Sequence, residues 1–504
     1  MKIKSMKSSD LRDIRKISND KRKKVLLINC RRKGYLPALM PHIGLGILAG
    51  ILIRRGHEVL VIDYLLTNNV PPIEMFLKKF NPDVVGITSY TWNIFEVKKT
   101  IDEIRNFSSS LPVIIGGPHT SMFTDDFKQD KRIDYLVLGD GELLIIDLIE
   151  KAKRQKKPEI LFSKELAKLD DIPFPNYQCF YKWETVLSYP LYTSRGCPHN
   201  CNYCSVWILC NRVWRTRSSE KCIEELRLAK KIFKKDLHVF VVDDSPAIDK
   251  KRFADFLRLY IKSRLRMRLE VYNMRADNIT EEILSLLKKT GTKHFTVAVE
   301  HTDPEVCQLM DKHETIEQIE NAINLVKKQG FLLTLFFVIG LPKDSFEKTK
   351  KLIKFARKFK PYAINWNIFQ YLGPNRAVEW FKENGKVDAI NYSQPSFKKE
   401  IFYPEGKPFA EYSGFTKHEI EKAYFMAILR TISPSLRLRD AVRIFKTISK
   451  YNLQADFFYW LPRGFLKSLR TKFYLFQSAV NTVRKEGIIK TLRKIIYLKK
   501  LGRL

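Results

Sequence analysis

The chain has 504 residues, of which 45% are hydrophobic, and its eight cysteines are few and unevenly spaced. This composition predicts a globular chain of two or three domains and excludes a disulfide framework. The longest apolar run, residues 331–339, is far shorter than the roughly 20 residues of a membrane span, and we interpret it as a buried strand. The formal charge of +35 favours an anionic partner, although a solvated basic surface explains it equally well.

Residues 1–23 are polar and basic and contain no apolar core of signal-peptide length. We expect them to form a frayed N-terminal extension. Without a secretory leader, and with thiols expected to be reduced, the protein is predicted to be cytoplasmic. The positive charge leaves a peripheral contact with an acidic membrane open.

Residues 24–150 alternate short apolar runs with helical patterns, which predicts a parallel sheet covered by helices on both faces. We therefore expect an α/β fold that starts with a doubly wound, Rossmann-like parallel sheet. The predicted strands are residues 25–29, 57–63, 83–89, 112–117 and, as the last of the sheet, 134–138. The predicted helices are residues 43–55, closed by Gly56, and residues 73–80 and 95–107.

Small and polar residues follow these strands at their carboxyl ends, where ligands bind in such sheets. Glycine at these positions lets the backbone approach a bulky ligand closely. The candidate binding residues of this domain are Thr88, Ser89, Gly116, Gly117, Pro118, Gly139, Gly141 and Glu142. Glycine-rich strand ends occur in every doubly wound fold, so the pattern alone leaves the ligand open.

Residues 151–187 form a lysine-rich linker in which Pro173 and Pro175 enforce an extended path. A second alternation fills residues 188–375 and predicts a partial (β/α)6 TIM-like barrel, with its chemistry at the carboxyl ends of the strands. The predicted strands are residues 191–194, 237–242, 268–272, 294–299, 332–339 and 363–369, and the clearest helices are residues 219–233 and 280–290.

Cys197, Cys201 and Cys204 follow the first barrel strand at CxxxCxxC spacing. Thiolates are the usual ligands of iron–sulfur clusters, and three of them leave a fourth iron open to an outside ligand. The alternative is a zinc site that is completed by Cys210 or His199.

Polar residues and glycine also follow the other barrel strands and form a second candidate group. Its members are Asp243, Asp244, Arg275, Glu300, Gly340 and Pro342. A carboxylate suits a cationic or hydroxyl-bearing ligand, because charge-assisted hydrogen bonds are short and strong. The alternative for each polar member is a helix cap or an ion pair, and Asp243 and Asp244 precede a typical helix opening, Ser245-Pro246.

Residues 376–504 are predicted to form a basic helical C-terminal domain, with helices at residues 417–430, 436–449 and 464–500. This extension either covers the barrel mouth and selects the substrate, or lies on an anionic membrane, or binds nucleic acid, or stays solvated.

The cysteine loop, residues 195–204 (Arg-Gly-Cys-Pro-His-Asn-Cys-Asn-Tyr-Cys), resembles the signature of the radical S-adenosylmethionine (SAM) family. The first domain resembles the cobalamin-binding domain that precedes many such barrels, through residues 41–46 and the later Gly-Gly and Gly-x-Gly-Glu loops. The resemblance implies a [4Fe–4S] cluster on the three cysteines, SAM on the open iron, and cobalamin on the strand ends of the first domain. The Asp-x-His-x-x-Gly motif is absent, so cobalt is expected to lack a histidine ligand.

The same resemblance implies roles for the second candidate group. Tyr203 would lie by the adenine of SAM, and Glu300 would contact its ribose or amino group. Asp243, Asp244 and Arg275 would lie around SAM, and Gly340, Leu341 and Pro342 would bring backbone to the adenine. Lys312 also matches a family position, with a solvated lysine as the alternative.

The resemblance thus implies a cobalamin-dependent (class B) radical SAM methyltransferase that acts on an unactivated carbon. Methylcobalamin would receive its methyl group from one SAM, and a second SAM would yield the radical that abstracts hydrogen from the substrate. The alternatives are cyclisation or rearrangement, as in the similar anaerobic magnesium-protoporphyrin cyclases, a transfer RNA methylthiotransferase, and a non-catalytic binding module. Expected partners are a small-molecule or lipid substrate and a reductase, flavodoxin or ferredoxin as electron donor, and nucleic acid is not favoured.

Overall fold

The computed structural model describes residues 3–31, 40–67, 70–235, 237–272, 274–388 and 408–431. A six-stranded parallel sheet forms the first domain, with the strand order β2-β1-β3-β4-β5-β6. Its strands are β1 (Lys24–Asn29), β2 (Glu58–Asp63), β3 (Val84–Thr88), β4 (Val113–Gly116), β5 (Tyr135–Leu138) and β6 (Glu159–Phe162). Its helices are α1 (Ile43–Arg55), α2 (Ile73–Phe80), α3 (Ile94–Phe107), α4 (Pro118–Met122) and α5 (Ile145–Lys151). The predicted doubly wound sheet is confirmed.

Strand β1 shows why this sheet is covered on both faces. Val25 and Leu27 belong to the core shared with α1 and α5, whereas Leu26 and Ile28 belong to the core shared with α2 and α3. Successive residues of a strand point to opposite faces, so a run of apolar residues buries both. The order of the sheet reverses between β1 and β3, which is where a ligand crevice forms in such folds.

The N-terminal extension packs against this domain. Leu11 is fully buried, and Ile3, Met6 and Ile14 contact the same core. The amide of Met6 donates to the carbonyl of Leu143 over 2.8 Å. The expectation of a frayed extension is therefore wrong for residues 3–23, because apolar side chains spaced through the basic segment bury themselves on the first domain.

Strand β6 lies in the segment that was predicted to be only a linker, so the prediction that residues 134–138 end the sheet is wrong. Four residues flanked by lysines carry too weak a pattern to predict an edge strand. The chain then returns to the opposite edge, where the amide of Val61 in β2 donates to Cys179 over 2.9 Å and that of Tyr181 donates to Val61 over 2.8 Å.

This return path crosses helix α1 at two glycines. A Cβ atom on Gly50 would lie 2.6 Å from the carbonyl oxygen of Phe174, and one on Gly46 would lie 2.5 Å from the ring of Tyr177. The amide of Asn176 donates to the carbonyl of Gly46 over 2.9 Å. Close approach of backbone to backbone explains why the helix carries glycine at these positions.

We expect the Gly50→Val substitution to destabilise the protein by about 2 kcal/mol, because overpacking of a tight contact typically costs 1–3 kcal/mol. Valine gains only a few tenths of a kcal/mol of helix propensity over glycine, too little to offset that cost. Urea unfolding of the apoprotein measures the effect. An unfolding midpoint equal to that of the wild type would show that residues 174–176 move away without cost.

The second domain contains six parallel strands in two sheets, β11-β10-β7 and β12-β13-β14. The six strands are β7 (Ser188–Leu191), β10 (His238–Val241), β11 (Arg268–Val271), β12 (His294–Glu300), β13 (Leu332–Ile339) and β14 (Ala363–Ile368). Two further short strands, β8 (Ser194–Arg195) and β9 (Arg215–Thr216), form a separate antiparallel pair. The helices are α6 (Val206–Cys210), α7 (Ser219–Phe233), α8 (Lys250–Lys262), α9 (Glu281–Lys289), α10 (Pro304–Met310), α11 (Ile316–Lys328) and α12 (Phe346–Lys358). The partial barrel is confirmed, and in the described residues it is divided between β11 and β12.

The first barrel strand lies earlier than predicted, at Ser188–Leu191 instead of residues 191–194. The physical reason is that Thr193 and Ser194 bind the carboxylate of Asp243. Ser194 and Arg195 form β8, which pairs with β9 in antiparallel fashion, Arg195 opposite Arg215.

The described part of the C-terminal region comprises α13 (Arg376–Asn384), β15 (Gly385–Val387), β16 (Ala410–Tyr412) and α14 (Lys417–Thr431). Helix α14 packs on α12 and β14, and the Trp366 indole donates to the hydroxyl of Thr431 over 2.8 Å. Its position agrees with the helix predicted at residues 417–430. The helices predicted at residues 436–449 and 464–500 lie outside the described residues. No helix in the described residues is long and apolar enough to cross a membrane.

Candidate active site

The carboxyl ends of the first sheet face the cysteine loop across a cavity of about 550 Å³, which we call the interdomain cavity. Seven of the eight candidate residues of the first domain line it: Thr88, Gly116, Gly117, Pro118, Gly139, Gly141 and Glu142. The second domain contributes Arg195, Gly196, Cys210, Arg215 and Asp244. Two groups of residues that the sequence places in different domains thus share one space.

The glycines of the first domain leave room for a bulky ligand. Gly139 has a φ of +70°, and a Cβ atom there would meet no atom within 4 Å, so this loop borders open space. Gly117 has a φ of +96°, and its Cβ atom would lie 2.7 Å from the carbonyl oxygen of Ser89. Both positions favour glycine, and the open cradle fits a large, flat ligand.

Ser89 is fully buried and does not line the cavity. Its hydroxyl is 2.7 Å from that of Thr120 and donates to the carbonyl of Gly116 over 2.9 Å. Ser89 therefore connects the loop after β3 to the loop after β4, and its direct contact with a ligand stays a prediction.

His42 lines the interdomain cavity, which sequence reasoning missed because it searched for a histidine only within a metal-binding motif. Its Nδ1 accepts from the amide of Leu45 over 3.1 Å, so Nε2 carries the proton and donates to the hydroxyl of Tyr90 over 2.8 Å. Both nitrogens are engaged within the protein. That cobalt lacks the histidine ligand of the Asp-x-His-x-x-Gly motif stays a prediction.

Burial lowers the pKa of His42 to about 4 from its ordinary 6.5. The unfolded chain takes up a proton first, so the contribution of His42 to stability is complete above pH 6.5 and is lost as the pH falls from about 6.5 to about 4. At about 1.36 kcal/mol per pKa unit, the loss is up to about 3 kcal/mol.

We expect the His42→Asn variant, which keeps an acceptor for the amide of Leu45 and loses the titrating group, to be less sensitive to acid over this window. Urea unfolding near neutral pH and near pH 4.5 measures the difference. An equal loss of stability in both proteins would contradict the assignment.

The cysteine loop is anchored at several points. Gly196, with a φ of +86°, donates its amide to the Asp244 carboxylate over 2.9 Å, and a Cβ atom there would lie 2.1 Å from the carbonyl oxygen of Val213. Asn202 uses its amide and its side-chain nitrogen to bind the carbonyls of Met310 and Leu309 over 2.9 and 2.8 Å. Asn202 is a further positioning residue that the sequence analysis did not identify, although an amide side chain between two cysteines was the available signal.

The three thiols are neighbours in a partly buried loop. Burial raises the pKa of Cys197 to about 11 and that of Cys204 to about 12, and the charge of Cys201 adds to both. Burial also raises the pKa of Cys201, against the nearby positive charges of Arg275 and Lys312. Iron must therefore displace protons here, and the two cations favour the anionic, iron-loaded state.

The zinc alternative lacks support from the geometry. Across the described residues, no three His, Cys, Asp or Glu side chains are gathered so that they could hold one metal ion. In a cluster each cysteine binds a different iron atom, so the thiols lie further apart than the ligands of a single ion. The donor set and its loop fit a cluster.

Glu300 and Arg275 act electrostatically on Tyr203 and Cys201. Burial raises the pKa of Tyr203, and the negative charges of Glu300 and Cys201 raise it further. Burial raises the pKa of Cys201, and the positive charge of Arg275 lowers it. Glu300 is buried at a bulge at the end of β12 and has a φ of +64°. A non-glycine residue in this conformation costs about 1–3 kcal/mol and is typical of functional sites.

Arg275 and Lys312 are both buried and both have partners within the chain. Arg275 binds the carboxylate of Asp277 and the carbonyl of Lys312, each over 2.8 Å. Lys312 pairs with Glu314 over 2.7 Å and donates to the carbonyl of Ala298 over 2.5 Å. The alternative of a solvated Lys312 is therefore wrong.

Asp344 supports the loop that contains Gly340 and Pro342. Its carboxylate accepts from the amide of Gly340 over 2.8 Å and lies 3.2 Å from Nε2 of His301. Gly340 has a φ of +84° and lies against Ile420 of α14. The ends of β12 and β13 are thus joined through two buried side chains that sequence reasoning missed, since neither belongs to a motif.

Asp243 and Asp244 hold the cysteine loop in place. The Asp243 carboxylate accepts from the amide of Thr193 over 2.7 Å and from the hydroxyls of Thr193 and Ser194 over 2.5 and 2.7 Å. Helix α8 begins only at Lys250, with Asp249 as its cap, so the helix-cap alternative for Asp243 and Asp244 is wrong. Their predicted contacts with SAM stay predictions.

The two domains also contact each other through the segments that follow β3, α4 and β14. The hydroxyl of Thr91 donates to the carbonyl of Leu372 over 2.7 Å, and the rings of Phe123 and Tyr371 meet edge to face. A Cβ atom on Gly373 would lie 2.3 Å from the sulfur of Met122, so the Met122 side chain packs directly on the backbone of Gly373.

Two family models match this chain: the B12 binding domain over residues 34–149 and the Radical SAM superfamily over residues 191–356. An uncharacterised methyltransferase of Pyrococcus horikoshii is 28% identical over 433 residues, which are 80% of this chain and 89% of the relative. The anaerobic magnesium-protoporphyrin IX monomethyl ester cyclase of Rubrivivax gelatinosus is 26% identical over 440 residues, 77% of this chain and 78% of the relative.

Among solved structures, the cobalamin-dependent S-adenosylmethionine radical enzyme OxsB, with aqua-cobalamin and S-adenosylmethionine bound, aligns with a TM-score of 0.63 at 15% identity. The alignment covers 95% of this chain and 75% of OxsB and shows a common fold. Both matched domains meet at the interdomain cavity. The chain therefore joins a B12 binding domain to a radical SAM domain, and it is a cobalamin-dependent radical SAM enzyme whose cofactors are cobalamin, SAM and a [4Fe–4S] cluster.

Proposed function

We propose that this enzyme transfers a methyl group to an unactivated carbon of a small-molecule substrate. The observation that carries the proposal is the shared interdomain cavity, because Gly139 and Gly117 of the B12 binding domain face the same space as Gly196 of the cysteine loop and Asp244, which follows β10. The relative from Pyrococcus horikoshii, named as a methyltransferase, supports the reaction class.

When bound, the cluster supplies the electron that cleaves SAM, and cobalamin supplies the methyl group. The chain's own residues bind and orient these groups. Cys197, Cys201 and Cys204 would hold the cluster, and the glycine loops would hold cobalamin. Glu300, Arg275 and Tyr203 would hold SAM, and Glu300 has the strained backbone that is typical of functional sites. By holding the reacting groups close together, these residues would lower the barrier of the reaction.

Cyclisation is the second candidate, since the relative from Rubrivivax gelatinosus is a cyclase and covers a similar share of this chain. A methylthiotransferase with a second cluster is less well supported by the first domain. Its only cysteine within residues 1–150 is Cys30, which is buried, donates to the hydroxyl of Thr100 and has its pKa raised to about 12 by burial.

The deciding experiment needs no substrate. Protein with a reconstituted cluster and bound cobalamin is reduced and incubated with SAM that carries a trideuterated methyl group. A methyltransferase yields trideuteromethyl-cobalamin and S-adenosylhomocysteine together, and mass spectrometry detects both. A cyclase cleaves SAM to 5′-deoxyadenosine without either product.

The control is the same incubation with protein that lacks cobalamin, in which S-adenosylhomocysteine should be absent. Formation of 5′-deoxyadenosine without labelled cobalamin or S-adenosylhomocysteine would refute the methyltransferase and favour cyclisation. The electron donor, a flavodoxin, ferredoxin or reductase, is expected to replace the chemical reductant in either case.

A further inference from the structure

Four charged side chains bridge the two domains at the rim of the interdomain cavity. Arg195 lies 2.6 Å from the carboxylate of Glu142, and Arg215 lies 2.5 Å from that of Asp140. A third contact, 3.8 Å long, joins Arg195 to Asp140. We call this set the bridging ion pairs.

Three of the four bridging side chains are largely sheltered from water, and the fourth, Asp140, is 32% exposed. The side chain of Glu142 is 7% exposed, that of Arg195 13% and that of Arg215 16%. Arg195 also stacks on the ring of Tyr192, with its guanidinium carbon 4.4 Å from the ring centre. Pairs in such a setting are screened less by salt than surface pairs, and loss of one partner leaves an uncompensated charge.

The arginines lie at the base of the cysteine loop. Arg195 and Arg215 face each other across β8 and β9, and Arg195 is followed by Gly196, which Asp244 holds, and then by Cys197. Gly196 has no room for a side chain, so this short stretch is tightly constrained. Arg195 is therefore only two residues before Cys197, the first cysteine of the cluster loop.

The carboxylates lie on the cobalamin side. Asp140 and Glu142 flank Gly141 and follow Gly139, and all of these residues line the cavity. We propose that Arg195, Arg215, Asp140 and Glu142 are positioning residues, which fix the distance and orientation between the cobalamin loop and the cluster loop. Glu142, which the sequence analysis predicts as a direct cobalamin contact, would act instead through Arg195. This proposal does not depend on whether the reaction is methyl transfer or cyclisation.

The test is magnetic and needs no substrate. In holoenzyme reduced to cob(II)alamin and a one-electron-reduced cluster, each paramagnet speeds the relaxation of the other when they are close. Microwave power saturation of the cob(II)alamin signal, measured with and without cluster reduction, reports this coupling. We expect Arg195→Gln and Glu142→Gln to retain both cofactors and to lose a large part of the relaxation enhancement.

A second readout uses the apoprotein. Hydrogen exchange of the cysteine-loop amides should become several-fold faster in Arg195→Gln and in Glu142→Gln, because the loop loses its contact with the other domain. The matched control is Arg55→Gln, which removes a partly buried pair of similar length, Arg55 with Glu150 at 2.5 Å, within the first domain. This control should lose stability without a change in either readout.

Unchanged relaxation enhancement in both Arg195→Gln and Glu142→Gln would overturn the proposal. So would loss of cobalamin from Glu142→Gln alone with normal coupling in Arg195→Gln, because Glu142 would then be a cobalamin ligand. If Arg195→Gln assembles no cluster, Arg215→Gln decides. This variant breaks the contact with Asp140 and a hydrogen bond to the carbonyl of Ala167, and it leaves Arg195 paired with Glu142. Normal coupling there refutes the proposal, and weakened coupling supports it.

Discussion

The Cys201→Ala variant is expected to lose its cluster and with it all formation of 5′-deoxyadenosine. Cys201 is the most buried of the three cluster cysteines, and the nearby positive charges of Arg275 and Lys312 favour its thiolate. Two remaining thiols cannot complete a three-cysteine site, so iron and sulfide should fall well below the wild-type content after reconstitution. Iron analysis, visible absorption and liquid chromatography of the SAM products measure the three effects.

Cys210→Ala is the matched control for this experiment. The thiol of Cys210 lies 3.4 Å from the amide nitrogen of Cys197 and lines the interdomain cavity, but it falls outside the CxxxCxxC spacing. We expect this variant to keep its iron and its activity. Wild-type iron and 5′-deoxyadenosine in Cys201→Ala, or equal loss in both variants, would contradict the assignment of the three ligands.

Asp344→Ala is expected to cost about 3–5 kcal/mol of stability, because it leaves three buried donors, Nε2 of His301 and the amides of Gly340 and Ser345, without their acceptor, at about 1–3 kcal/mol each. Asp344 and His301 are both fully buried, and the carboxylate also holds the amides of Gly340 and Ser345 over 2.8 and 2.7 Å. Because the Gly340 loop would lose its support, the KM for SAM should rise more than kcat falls. Urea unfolding of the apoprotein and initial rates of 5′-deoxyadenosine formation measure the two effects.

Ser345→Ala separates loop support from helix capping. Ser345 caps α12 and accepts from the amide of Lys348 over 3.2 Å, without contact to Gly340. Its loss should cost about 1 kcal/mol and leave the KM for SAM unchanged. If Asp344→Ala shows the same KM as Ser345→Ala, Asp344 serves only the stability of the barrel.

Most of the fold follows from local patterns. Helix α1 was predicted with its observed bounds, since its apolar run ends at a glycine with positive φ, and the buried strand β13 was predicted from its continuous apolar residues. Contacts between distant segments were not predictable. Burial of Leu11 and addition of β6 to the sheet depend on surfaces that residues far along the chain provide.

The candidate site divides in the same way. The cysteine spacing identifies the cluster loop because all three ligands lie within eight residues of each other. The sequence analysis placed Glu142 and Asp243 at strand ends but could not predict their partners, Arg195 and Thr193, because each pair joins residues about 50 positions apart in the sequence. Buried pairs such as His301 and Asp344 leave no spacing signal at all.

Strand β6 is the outermost strand of the first sheet and exposes 43% of Ile160 and 60% of Phe162. An apolar edge strand is a template for pairing with a second copy, and hence for aggregation. Exposed lysines flank this strand on both sides, at Lys156, Lys157 and Lys164. Like charges would meet when two such edges approach, so these lysines act as gatekeepers. The colloidal stability of the concentrated protein therefore depends on this small set of charges, and acetylation of these lysines would turn the edge into a self-association surface.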